Sequence, residues 1–91
     1  MSNYYGYKIR YMFSPDTLGE FESSADVYAQ LLEEQLTKQY EGGSIDVVVS
    51  HTQLITSKAL CYSINGDRDD NMEDQVRHIA EAVYQDICAN F

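Results

Sequence analysis

Positive charge is scarce in this chain: 6 lysines and arginines stand against 15 aspartates and glutamates, for a net charge of −9. Nucleic-acid-binding proteins draw much of their affinity from cationic contacts to phosphate, so direct binding of DNA or RNA is not expected. No apolar run approaches the roughly 20 residues that cross a bilayer. The first residues, Met1-Ser2-Asn3-Tyr4-Tyr5, lack the basic-then-apolar layout of a secretory leader, so the expected location is a cytosol. Glycine-rich phosphate loops are missing too. Gly42-Gly43 precedes a predicted strand instead of following one, and Gly66 opens an acidic loop that repels phosphate, so no cofactor is expected.

Cysteine is limited to Cys61 and Cys88, one in a predicted strand and one in a predicted helix. Both have apolar neighbours and read as buried, reduced thiols. Together with His51 and His78 they make four zinc-type ligands in number, but neither Cys-x-x-Cys nor His-x-x-x-His spacing is present, so no metal site is expected. Cys88 falls in a last helical turn, where the negative helix end raises a thiol pKa, which argues against a cysteine nucleophile and against an enzyme. Asp67-x-Asp69-x-Asn71-x-Glu73 has the oxygen spacing of a calcium loop. Met72 replaces its glycine and His78 its bidentate glutamate, leaving a solvated capping loop as the reading.

What the chain does contain is a strand-and-helix pattern for one compact domain over residues 1–91. Apolar content is 44%, enough for a core and too high for a disordered tail. The firmest signal lies between Ser44 and Ile64. Ile45, Val47, Val48 and Val49 form one β-branched run, Ser50 to Gln53 a polar break, and Leu54 to Ile64 a second run closed by Asn65-Gly66, predicting a strand-turn-strand hairpin. Tyr4 to Phe13 alternates strictly, predicting a further strand with Tyr5, Tyr7, Ile9, Tyr11 and Phe13 on its core face.

Tyr28, Leu32, Leu36 and Tyr40 recur every four residues and predict a helix from Ser23 or Ser24 to about Tyr40. A capping box with Asp26 starts it and Gly42-Gly43 ends it. Met72, Val76, Ile79, Val83 and Ile87 predict a second helix capped by Asp70 or Asn71. The stretch Glu20-Phe21-Glu22 reads as loop with Phe21 as an anchor. The fold class is therefore α+β, in the order βαββα: a three-stranded, mainly antiparallel sheet with both helices packed on one face. The last strand is apolar on both sides, with Ile55, Ala59 and Cys61 opposite Leu60, Tyr62 and Ile64, so the open sheet face carries an apolar patch or a partner.

The acids are not spread evenly. Residues 14–41 sum to −6 and residues 65–91 to −5, whereas 1–13 sum to +2 and 42–64 to zero. Spaced carboxylates on a helix surface imitate a phosphate backbone and are steered to a groove lined by lysine and arginine. The candidate partner-binding residues are Glu33, Glu34 and Glu41 of the first helix and Asp67, Asp69, Asp70, Glu73 and Asp74 at the start of the second. Tyr40 and Tyr62 join them, because tyrosine is enriched in interfaces.

In length, acidity, tyrosine content, α+β pattern and lack of enzyme motifs, the chain resembles the small inhibitors that phages and mobile elements direct against bacterial defence, the anti-CRISPR proteins in particular. The resemblance implies stoichiometric binding to a Cas effector or another basic nucleic-acid-binding protein, blocking its DNA or locking its conformation. A homodimeric accessory module that pairs through its open sheet face is the competing expectation.

Overall fold

The computed structural model describes residues 4–50 and 57–90, which include every charged side chain of the sequence. It is an α+β fold, a three-stranded sheet with two helices. Strand β1 spans Lys8–Phe13, β2 Ser44–Val49 and β3 Lys58–Tyr62; helix α1 spans Ala25–Gln39 and α2 Asp70–Asn90.

The sheet order is β2-β1-β3, with β1 parallel to β2 and antiparallel to β3. The predicted hairpin between β2 and β3 is thus not formed, and the sheet is mixed instead of mainly antiparallel. Two physical reasons account for this. The eight residues joining β2 to β3 contain no Asn-Gly or Asp-Gly dipeptide to turn the chain back on itself. The middle of a layer also has the most cover, so the strand with the largest alternating apolar side chains takes it. Ile9, Tyr11 and Phe13 of β1 are 1%, 5% and 1% exposed, while Ile45, Val47 and Val49 of β2 are only half-buried and the buried residues of β3, Ala59 and Cys61, are small. His51, Leu54 and Ile55 lie outside the described residues.

β1 starts later than the alternation predicts. Gly6 has φ +87° and the Tyr7 N–H donates to the Tyr4 carbonyl at 3.0 Å, so Tyr4 to Tyr7 form a turn and Tyr5, predicted for the core, is exposed. After β1, Pro15 opens a run of 3₁₀ turns, Pro15–Ser24, that includes Glu20-Phe21-Glu22, expected as loop. Phe21 packs edge-on to Tyr84 with ring centroids 6.3 Å apart, the anchor its position predicted. Because these turns lead straight into α1 and the Ala25 N–H is bonded to the Glu22 carbonyl, the helix start is supplied with backbone partners. Ser24 stands at the N-cap with no side-chain cap bond, whereas Ser23, expected to form a capping box with Asp26, falls inside the 3₁₀ turns and not at the N-cap.

α1 buries Tyr28, Leu32, Leu36 and, just past its end, Tyr40 against the sheet. α2 buries Met72, Val76, Ala80, Val83 and Ile87 in the same core. Tyr28 Oη donates to the Ala80 carbonyl at 3.2 Å and Tyr40 Oη to Gln75 Oε1 at 2.9 Å, so the two helices run alongside each other with their polar tips satisfied. Burial pushes the Tyr28 phenol, and more mildly the Tyr40 phenol to about 12, above their ordinary value.

Candidate partner-binding surfaces

The acidic surface is built by the outward sides of the helices. On α1 the buried stripe at Tyr28, Leu32 and Leu36 turns Glu33 and Glu34 to solvent, and neither has an ion-pair partner among the described residues. Because Tyr40 meets Gln75, the end of α1 lies beside the second turn of α2. Exposed Glu41 therefore shares one end of the molecule with exposed Asp67, Asp70 and Asp74. Asp74 is partly screened by Arg77 at 3.6 Å.

Three of the sequence-predicted site residues have other occupations. Asp69, half-buried, is the cap of α2: its Oδ1 accepts the Met72 N–H at 3.0 Å, the role expected of Asp70 or Asn71. Glu73 is 3% exposed and turned inward. Its two oxygens accept Nε and Nη2 of Arg68 at 3.1 and 2.8 Å, and Oε2 also takes the Cys61 N–H at 3.2 Å. Tyr40 is fully buried. Glu73 and Tyr40 are accordingly corrected from partner-binding to structural residues. For Glu73 a signal was present, since it stands three residues before Val76 and seven before Ala80 on the apolar stripe, where a carboxylate faces inward.

The Arg68 hydrogen bonds hold the Glu73 carboxyl below the usual carboxylate range, against the opposing effect of burial. The same cluster acts on Cys61, whose thiol is pushed up to about 12, first by burial and then by the nearby charges of Glu73 and Asp69. Cys88, predicted buried, is exposed on α2. His78 is exposed as well. Among the described residues no group of three or more His, Cys, Asp or Glu side chains is arranged to hold a metal ion, and no helix is long and apolar enough to cross a membrane.

The second surface is the sheet face that the helices leave uncovered. Register sets Ser44, Lys8 and Tyr62 in one row across it, then Asp46, Arg10 and Leu60, then Val48, Met12 and Lys58. Arg10 Nε donates to Asp46 at 3.1 Å within the middle row. A cavity of about 300 Å³ lies over the first two rows. Tyr62, predicted to meet a partner, is half-buried here and bridges Arg68, so it stands beside the acidic loop of Asp67 to Asp70 and away from Glu33 and Glu34.

No protein-family model, curated protein or solved structure matches the chain.

Proposed function

We propose that this protein is a non-enzymatic inhibitor of the anti-CRISPR kind, which binds a basic nucleic-acid-handling protein of a bacterial defence system and occupies its DNA- or RNA-binding groove. The observation that carries the reading is the exposure of Glu33 and Glu34 on α1 and of Asp67 and Asp70 at the approach to α2, with no ion-pair partner among the described residues. The three arginines pair with Asp46, Glu73 and, more loosely, Asp74, and not with these four. Such an array attracts a lysine- and arginine-lined groove at a distance and speeds encounter at low salt. The partner is a Cas effector by the class resemblance.

The test reverses those four positions to lysine together. Asp69 and Glu73 are spared because they hold α2 and β3. The quadruple variant should keep the circular dichroism and melting temperature of the wild type while losing binding to the effector, and wild-type binding should weaken steeply with salt. Inhibition of target cleavage by the quadruple variant equal to that of the wild type would refute the proposal.

The incomplete cover of Leu60, Tyr62 and Ile64 favours a second reading, a homodimeric accessory module joined through the open sheet face. A two-fold pairing of that face sets two surfaces of the same net positive charge together, which weighs against it. Sedimentation equilibrium separates the two, since only the module is a tight dimer without effector.

A further inference from the structure

The open sheet face differs in kind from the rest of the surface. It holds half of the chain's lysines and arginines, Lys8, Arg10 and Lys58, with Asp46 as its one acid, for a net charge of +2 that leaves −11 elsewhere. Along β3, Lys58, Leu60 and Tyr62 fall on this face by alternation, and Ile64 follows in the turn just beyond it. Ile64, 62% exposed, leans on the bare backbone of Gly6, where an added Cβ would stand 2.7 Å from its Cγ1. An apolar ridge of Leu60, Tyr62 and Ile64 is therefore flanked by a cationic row of Lys8 and Arg10 on the neighbouring strand.

We propose that this face is a docking site for an amphipathic helix of a protein partner, one whose apolar stripe is bordered by acidic residues. The ridge and the unpaired lysines fix the chemistry: leucine-type side chains for Leu60, Tyr62 and Ile64, carboxylates for Lys8 and Lys58, while Arg10 is held by Asp46. Along β3, from Lys58 to Tyr62, this face is about 14 Å long at strand rise, which matches about 9 residues of helix. The other face of the same sheet is already covered in this manner by α1 and α2, so the occupant would complete a third layer.

Other occupants fit less well. A second copy would set one face of net charge +2 against another of the same sign. Single-stranded nucleic acid would find three cations where specific binders use about twice as many phosphate contacts or more, beside a body of charge −11. This site is independent of the proposed inhibition through the acidic surface.

The experiment uses the full chain and a synthetic 14-residue amphipathic peptide with leucines at helical spacing and glutamates along one flank. The readout is the backbone amide shifts of β1 and β3, so that binding of any peptide to the acidic side is counted separately. Saturable shifts at Lys8, Arg10, Leu60 and Tyr62 are expected. Affinity at this face should fall about tenfold in the Lys8→Glu/Lys58→Glu variant and also in Tyr62→Ser, each with a melting temperature within a few degrees of wild type. A peptide with lysine in place of every glutamate should leave these amides unmoved. The proposal is overturned by no saturable shift in the β1 and β3 amides, by equal response to the two peptides at this face, by a single-stranded oligonucleotide shifting the same amides more tightly, or by a stable dimer that the peptide does not dissociate.

Discussion

Glu73 reaches from the first turn of α2 to Cys61 in β3, its Oε2 accepting the Cys61 N–H at 3.2 Å. The Cys61 carbonyl is taken as well, by the Asp69 N–H at 2.9 Å. Cys61 pairs with Ile9 across the β1-β3 ladder, and its own polar groups face away from it. The turn at Asn65-Gly66 brings Arg68 opposite Tyr62 in a bridge, and the Ser63 N–H donates to the Asp67 carbonyl at 2.8 Å. The outer edge of β3 is thereby capped at Cys61 and just beyond it by the approach to α2, which shortens the template it offers for strand addition by other chains.

Replacing Glu73 by alanine strands the Cys61 N–H at that edge and leaves Arg68 without its carboxylate. A loss of about 1–3 kcal/mol in unfolding free energy is expected. Glu73→Gln keeps an acceptor and should cost less. Urea denaturation of the two variants beside wild type measures both values, and equal losses would mean that charge, not the amide bond, holds the edge.

The same carboxyl sets a pH dependence. Its folded pKa lies below the ordinary value of 4.5, so its contribution is fully present above that value and lost as pH falls through the lower folded value. The stability difference between wild type and Glu73→Gln should be flat from pH 7 to about 5 and shrink with further acidification. Urea midpoints recorded from neutral pH to pH 2.5 test this, and a gap that widens in acid would contradict it.

Cys61 and Cys88 should differ sharply towards thiol reagents. Cys61 is fully buried with its pKa at about 12, whereas Cys88 is exposed. At pH 8 one thiol per chain should react quickly with a disulfide reagent and the second only after denaturant is added. Mass spectrometry after brief labelling should place the fast modification on Cys88.

Tyr40 gives a graded test of its reassigned role. Tyr40→Phe loses the bond to Gln75 and should cost about 0.5–1.5 kcal/mol. Tyr40→Ala also empties a fully buried site in which the ring meets Tyr4 edge-on at 5.0 Å, and should cost about 3–5 kcal/mol. Calorimetric melting would read both, and a silent Tyr40→Ala would return the residue to the surface.

Gly6→Ala combines a positive φ with the contact to Ile64. A loss of about 1–2 kcal/mol is expected from the backbone alone. Adding Ile64→Ala should recover the part due to the clash and no more, which a double-mutant cycle measures.

Both helices and the βαββα order were readable because each rests on a local period. Tyr28 to Tyr40 and Met72 to Ile87 need only one apolar stripe to be recognised. Strand neighbours follow no such local rule: β2 and β3 are adjacent in sequence and separated in space, because the large side chains of Ile9, Tyr11 and Phe13 claim the centre. The acid count likewise marked a charged surface correctly, but it did not separate Glu33, which faces water, from Glu73, which bonds inward to Arg68 and a strand amide. Tyr40 misled for a related reason, since its hydroxyl finds Gln75 only after the helices have packed.

The central place of β1 has a consequence for how this chain tolerates cutting. β2 and β3 share no ladder, so deleting the residues before Ser14 removes every interstrand pairing at once, while a fragment containing β2, β3 and α2 keeps three of the elements and none of the sheet. Trimming or tagging within the first dozen residues should therefore be far more damaging than its position near a terminus would lead one to expect.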